Sequence, residues 1–279
     1  MNSLTRFHKS GLKVVWENTP RPRSWGLALG GGAARGIAHV GVLQVLEENN
    51  LRPDYIAGTS VGSLVGGLYA AGISPQRMEE VVRKLRWSDV TGITMPKLGL
   101  LDPSRMIDLI DQITHGPKQF DELAIPFAAV AADIINGDLV VLNRGPIAPA
   151  IRASCSIPTV FTPSRRDGRL LVDGGILNNL PVSVAEAMGA SYVVAVDLLP
   201  LGSMLGKEPS NLLELTVTAI YTLMRATHNE GPSADRIIAP AIGHLSLASL
   251  SAVDELLSAG RAAAEATVPE ILKDLGREG

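Results

Sequence analysis

Cysteine is almost absent from this chain: Cys155 is the only one in 279 residues. A lone thiol excludes an internal disulfide framework and a cysteine-rich metal site. Nothing in the sequence groups His, Asp and Glu at metal-ligand spacing either, so neither a metal nor a cofactor is expected. A marked excess of either charge is also missing. Lys and Arg number 25 against 28 Asp and Glu, a formal net charge of -3, which leaves no overall basic field to attract nucleic acid or anionic lipid. Long apolar runs are lacking as well, since no stretch approaches the ~18 residues of a membrane span. The opening MNSLTRFHKSGLKVVWENTPRPRSW is too polar and interrupted to serve as a signal-peptide core. These absences lead us to expect a mature cytoplasmic chain with no nucleic-acid partner.

What is present is core material. Hydrophobic residues make up 46% of the chain, enough for one large α/β domain. The Pro- and Arg-rich residues 1–23 read as an N-terminal arm, and 24–275 as the ordered domain. SWGLALGGG reads as a strand leaving through glycines, AARGIAHVGVLQVLEENN as a mostly buried helix, DYIAG as a second strand and VGSLVGGLYAAG as a second helix. This strand-helix alternation implies parallel strands joined by helical crossovers. Asn136-Gly137 between PFAAVAADI and DLVVLN signals a hairpin. RLLVDGG and SYVVAVDL read as further strands, and residues 87–101 and 200–210 as long loops.

Three glycine-bearing junctions carry the chemistry. In IAGTSVGSLVGGLYAAG, Ser60 stands between Gly58 and Gly62 where a strand meets a helix. This GXSXG arrangement suits a nucleophile elbow, a sharp turn that lifts the hydroxyl clear of the sheet. Alone, it fits close helix packing equally well. The second junction, GGGAARG, occupies the matching place after the first strand. The backbone N–H groups of Gly30, Gly31, Gly32 and Ala33 could converge there on an oxyanion, with Arg35 in support. Such a turn could also cradle a dinucleotide, but the spacing is G-x-G-x-x-x-G and no acid closes the second strand. The third junction, VDGGILNNLP, delivers Asp173 into Gly174 and Gly175. That could be a simple Asx-turn, or a carboxylate placed to take the proton of a serine hydroxyl.

Together these segments, with AIRASCSIPTVFTP and PVSVAEAMGASYVVAVD, resemble the patatin-like phospholipases, in that family's order and over most of residues 24–197. The chain looks closest to the compact bacterial members and to the catalytic domain of neuropathy target esterase. The resemblance implies a three-layer sandwich with a mainly parallel central sheet and helices on both faces. It implies a serine esterase with a Ser-Asp dyad: Ser60 as nucleophile, Asp173 as general base and the Gly30 to Ala33 amides as oxyanion hole. Gly58, Gly62, Gly174 and Gly175 hold the turns. It also implies a lipid or other ester substrate. Many family members carry a fourth glycine where Ala33 stands.

A Ser60, Asp173, His244 triad is the competing mechanism, because those residues follow the order found in α/β-hydrolases. A non-catalytic phosphate-binding module is the competing class. His39, Cys155, Asp133 and Asp197 read as structural, and Arg152 as either a site support or a salt-bridge partner. Met95, Leu98, Leu100, Leu101, Leu199, Leu201, Met204 and Leu205 of the two long loops could wall an acyl groove. They could equally dock transiently on a membrane surface or on a second copy of the chain, making the protein peripheral or a homodimer.

Overall fold

The computed structural model describes residues 24–93, 98–200, 208–226, 233–248 and 250–277. The expected arm, residues 1–23, lies outside them. In chain order the strands and helices are β1 (Trp25–Leu29), α1 (Ile37–Glu48), β2 (Tyr55–Thr59), α2 (Val61–Ala70), α3 (Pro75–Val82), α4 (Trp87–Val90), β3 (Gly92–Ile93) and β4 (Gly99–Asp102). Then come α5 (Ser104–Ile113), β5 (Phe127–Asp133), β6 (Asp138–Leu142), α6 (Ile147–Ser154), β7 (Thr159–Phe161), β8 (Ser164–Arg166) and β9 (Arg169–Asp173). The chain continues with α7 (Val182–Ala187), β10 (Tyr192–Val196), α8 (Leu212–Ala226), β11 (Arg236–Ile238) and α9 (Val253–Asp274).

The sheet runs β11-β10-β1-β2-β5, all parallel. β6 pairs antiparallel with one edge of β5, through the turn whose Gly137 takes φ +72°. On the other edge of β5 two strands follow one another. β2 runs parallel up to the pair Thr59 and Val130, and β9 comes in antiparallel, ending at the pair Asp173 and Ala131. Val130 and Ala131 are consecutive. The carboxyl ends of β2 and β9 therefore meet head-on beside β5.

Alternation along the strands divides the sheet into two unlike faces. Leu27, Leu29, Ile56, Phe127, Val194 and Val196 pack into one cluster with α1, α2 and α9. On the opposite face Ala195, Ala28, Ala57 and Ala128 stand in register across four neighbouring strands. That thin row lets α7 approach closely, with Val182, Val184 and Ala185 buried on it. The architecture is thus α/β, a mainly parallel sheet between helices. Residues 87–101 depart from the loop expected of them. They hold α4, β3 and β4, and β4 pairs with the distant β7 to make a small second sheet.

Candidate active site

Ser60 follows β2 directly and begins α2 with φ +54° and ψ −128°. Such backbone is strained for a residue with a side chain, and its neighbours hold it there. The Ser60 amide donates to Ser154 Oγ at 2.8 Å, and Ser154 in turn donates to the Val130 carbonyl at 2.5 Å. The Ser60 carbonyl accepts from the Ser63 amide at 2.8 Å and the Ser63 hydroxyl at 2.6 Å. Both flanking glycines are sterically required: a methyl on Gly58 would stand 2.5 Å from the Gly62 carbonyl oxygen, and one on Gly62 would run into the Leu29 carbonyl.

Asp173 ends β9 and is fully buried. Its Oδ1 accepts from the Gly175 amide at 2.8 Å, whereas Oδ2 has no hydrogen-bond partner among the described residues. Burial pushes the carboxyl pKa up to about 7, opposed by the Ser60 hydroxyl and the Gly175 amide, both of which favour the carboxylate. The Ser60 hydroxyl is thus set beside the buried carboxyl. Gly174 leaves the strand under the Val130 carbonyl, where a side chain would collide.

The glycine loop lies against the elbow, and a methyl on Gly31 would sit 3.2 Å from Ser60 Cβ. Hydrogen bonding divides its four amides. Gly30 donates to Val196 O and Gly31 to Asn179 O, both at 3.1 Å, so neither N–H is available to a ligand. The Gly32 and Ala33 amides have no acceptor among the described residues. Ala33 takes φ +48°, a conformation that glycine would adopt at lower cost. Behind the loop His39 is fully buried, and burial pushes its pKa down to about 4. Its neutral ring donates from Nε2 to the Gly30 carbonyl at 2.8 Å. Arg35 is also buried and ties the loop to residues 243–245. Its Nη2 donates to the Gly243 and Leu245 carbonyls at 2.8 Å each.

A cavity of about 120 Å³ opens from Ser60 between α1 and α2, lined by Ile37, Val40, Leu64, Val65, Trp87 and Met106 among others. Among the described residues of its wall, the polar side chains are Ser60, Cys155 and Trp87, whose indole N–H is taken up by the Ala248 carbonyl. The Cys155 thiol is buried, and its pKa is raised by that burial and by nearby Asp173, which keeps it protonated and inert.

Other expected residues lie elsewhere. His244 is exposed and pairs with Glu255 of α9 at 2.8 Å, and no histidine bonds to Ser60 or Asp173 among the described residues. Arg152 donates to Thr162 at 3.0 Å and faces Asp102. Asp133 holds the β5–β6 turn through Asn136 and Ile135, and Asp197 accepts from the Leu199 amide. Of the groove residues, Leu199 is buried and Leu101 half-buried in a second apolar cluster whose Ile157 and Phe161 also line the cavity. Leu98 and Leu100 are exposed, and Met95, Leu201, Met204 and Leu205 lie outside the described residues. Sequence reasoning missed Ser154, the partner of the elbow amide. NLLELTVTAIYTLMRATH is legible as a helix and forms α8, but nothing in the sequence places its buried Tyr221 and Met224 at the Asp173 loop, which they reach. Their spacing of three on an amphipathic helix marks a buried stripe, though not its neighbour.

Residues 27–186 match the patatin family, described as patatin-like phospholipase. The chain belongs to that family. An uncharacterized NTE family protein of Mycobacterium tuberculosis is 39% identical over 226 residues, which cover 78% of this chain and 59% of that protein. Mouse patatin-like phospholipase domain-containing protein 6 is 37% identical over 185 residues, covering 62% of this chain and 13% of the relative. The chain thus spans little more than half the length of the mycobacterial relative and a small part of the mouse one. VipD from Legionella pneumophila shares the fold, with a TM-score of 0.64 and 13% identity over 90% of this chain and 67% of that one. Among the described residues no helix is long and apolar enough to cross a membrane.

Proposed function

We propose that this patatin-like chain is a serine acyl hydrolase that cleaves the carboxylic ester bonds of lipids. The observation that carries the reading is the convergence of strained Ser60 and the buried, raised-pKa carboxyl of Asp173 at the mouth of an apolar cavity. In this reading Ser60 Oγ attacks the ester carbonyl carbon and its proton passes to Asp173. The tetrahedral oxyanion accepts from the Gly32 and Ala33 amides, helped by the positive end of α2. Asp173 then protonates the leaving alcohol. Water, deprotonated by Asp173, attacks the acyl-serine and releases the carboxylic acid. The expected four-amide oxyanion loop thereby narrows to two, since Gly30 and Gly31 already donate within the fold.

Family membership favours phospholipids or lysophospholipids as natural substrates. Transient contact with a membrane surface is part of the proposal, supported by Leu212, Leu215 and Leu223 standing exposed on α8, the helix that also reaches the Asp173 loop. A fluorophosphonate probe tests the core of the reading: it should label the wild type and spare Ser60→Ala. Equal labelling of both proteins would remove Ser60 as nucleophile, and no labelling of either would favour a binding module.

A further inference from the structure

The cavity beside Ser60 has a definite size and a definite direction, and its size is small for a membrane lipid. At about 120 Å³ it is somewhat smaller than the roughly 150 Å³ apolar cavity that takes up benzene, so it holds on the order of six carbons. Its wall along α2 runs from Ser60 and Val61 to Leu64 and Val65, five residue-to-residue steps and therefore roughly 7.5 Å at 1.5 Å per step. α3 packs on α1, and α5 on α4 and α6. Val82, Leu85 and Met106 line the cavity from these elements, which do not carry the serine. Among the described residues, no polar side chain apart from Ser60, Cys155 and the already bonded Trp87 enters to hydrate the space, so an alkyl chain is the ligand that gains most by filling it.

We propose that this pocket binds the acyl chain and accepts about six carbons, with Val82 and Leu85 setting the limit. The inference rests on the hydrolase reading for the position of the scissile carbonyl at Ser60. The acyl part of the preferred substrate is then short or medium in length. Esters of long fatty acids must leave most of their tail outside or displace the far wall.

The test is a series of p-nitrophenyl esters from acetate to palmitate, each assayed below its aggregation threshold. Each added methylene should raise kcat/KM about three- to fourfold as it enters the pocket, until roughly six carbons. By dodecanoate the value should have fallen tenfold or more from its peak. A rise continuing to dodecanoate would overturn the proposal. Leu85→Ala should move the peak at least two carbons longer and Val82→Phe at least two shorter. Both side chains are half-buried at the margin of α3, where the fold tolerates a change of size. A peak unmoved in both variants would overturn their role as the far wall.

Direct binding separates this idea from the catalytic one. With Ser60→Ala protein in a calorimeter, hexanoate should bind one to one and dodecanoate no more tightly, even if no ester is ever turned over. Tenfold tighter binding of dodecanoate would refute the length limit while leaving hydrolysis untouched.

Discussion

Ser60 holds φ +54° because the Ser154 hydroxyl, the Ser63 hydroxyl and the first turn of α2 all bond to its backbone. The strain has a measurable consequence. Ser60→Gly should lose all turnover yet unfold in urea with about 1 kcal/mol more stability, because glycine adopts this conformation freely, while Ser60→Ala loses turnover and keeps the strain. In the proposed mechanism Asp173 carries the pH dependence. Its folded pKa of about 7 lies above the ordinary carboxylate value, because burial disfavours the charge. Only the ionised form can accept the serine proton, so kcat/KM should fall about tenfold per pH unit below 7 and level off above it. Stability follows the opposite sense. A group with a raised folded pKa contributes stability that is complete below its unfolded pKa and is lost as pH rises through the folded one. Asp173→Asn, which titrates nowhere, should therefore gain on the wild type between about pH 4 and 7 in denaturation midpoints. A constant difference across that range would show that the carboxyl is not perturbed.

At the scale of elements, what matters is how loops and helix ends are fastened to one another. Arg35 fixes the glycine loop to residues 243–245, and the neighbouring Ala34 amide donates to the Leu247 carbonyl at 3.0 Å. Arg35→Met would leave two carbonyls without their charged donor. It should cost about 2–4 kcal/mol in urea unfolding and slow fluorophosphonate labelling, because the Gly32 and Ala33 amides lose their support. Gly62→Ala should be at least as damaging, since its methyl must push α2 away from the end of β1. The elements that sequence made legible are those with their own periodicity or punctuation. β1, α1, β2 and α2 alternate with glycine exits, and Asn136-Gly137 marks the β5–β6 hairpin. The ones it hid are short and held from afar. β4 and β7 are four and three residues long and exist because Leu101 pairs with Phe161, sixty positions away in the chain. Nothing local to either segment encodes that partnership.

At the scale of the whole molecule, the decisive event is two strands meeting on one edge of β5. They bring Ser60 to Asp173 across more than a hundred residues and leave His244 on the surface with Glu255. His244→Ala should accordingly keep ester turnover within about twofold of the wild type, whereas a triad member would cost on the order of 10⁴-fold. The amino-acid sequence by itself singled out Ser60, Asp173 and the glycine loop as the residues for the proposed chemistry. Glycines must stand where backbones touch, and it is the three glycine-bearing junctions taken together, rather than any one of them, that single out the serine and the aspartate. It also determined the α/β class, because period and punctuation are local properties. Only the tertiary structure decided which glycine amides stay unpaired, that Ser154 holds the elbow, that α8 reaches the Asp173 loop and how much room lies beside the serine. Each of those depends on hydrogen bonds and contacts between segments far apart in the chain, and a linear pattern does not specify how distant surfaces will close on one another.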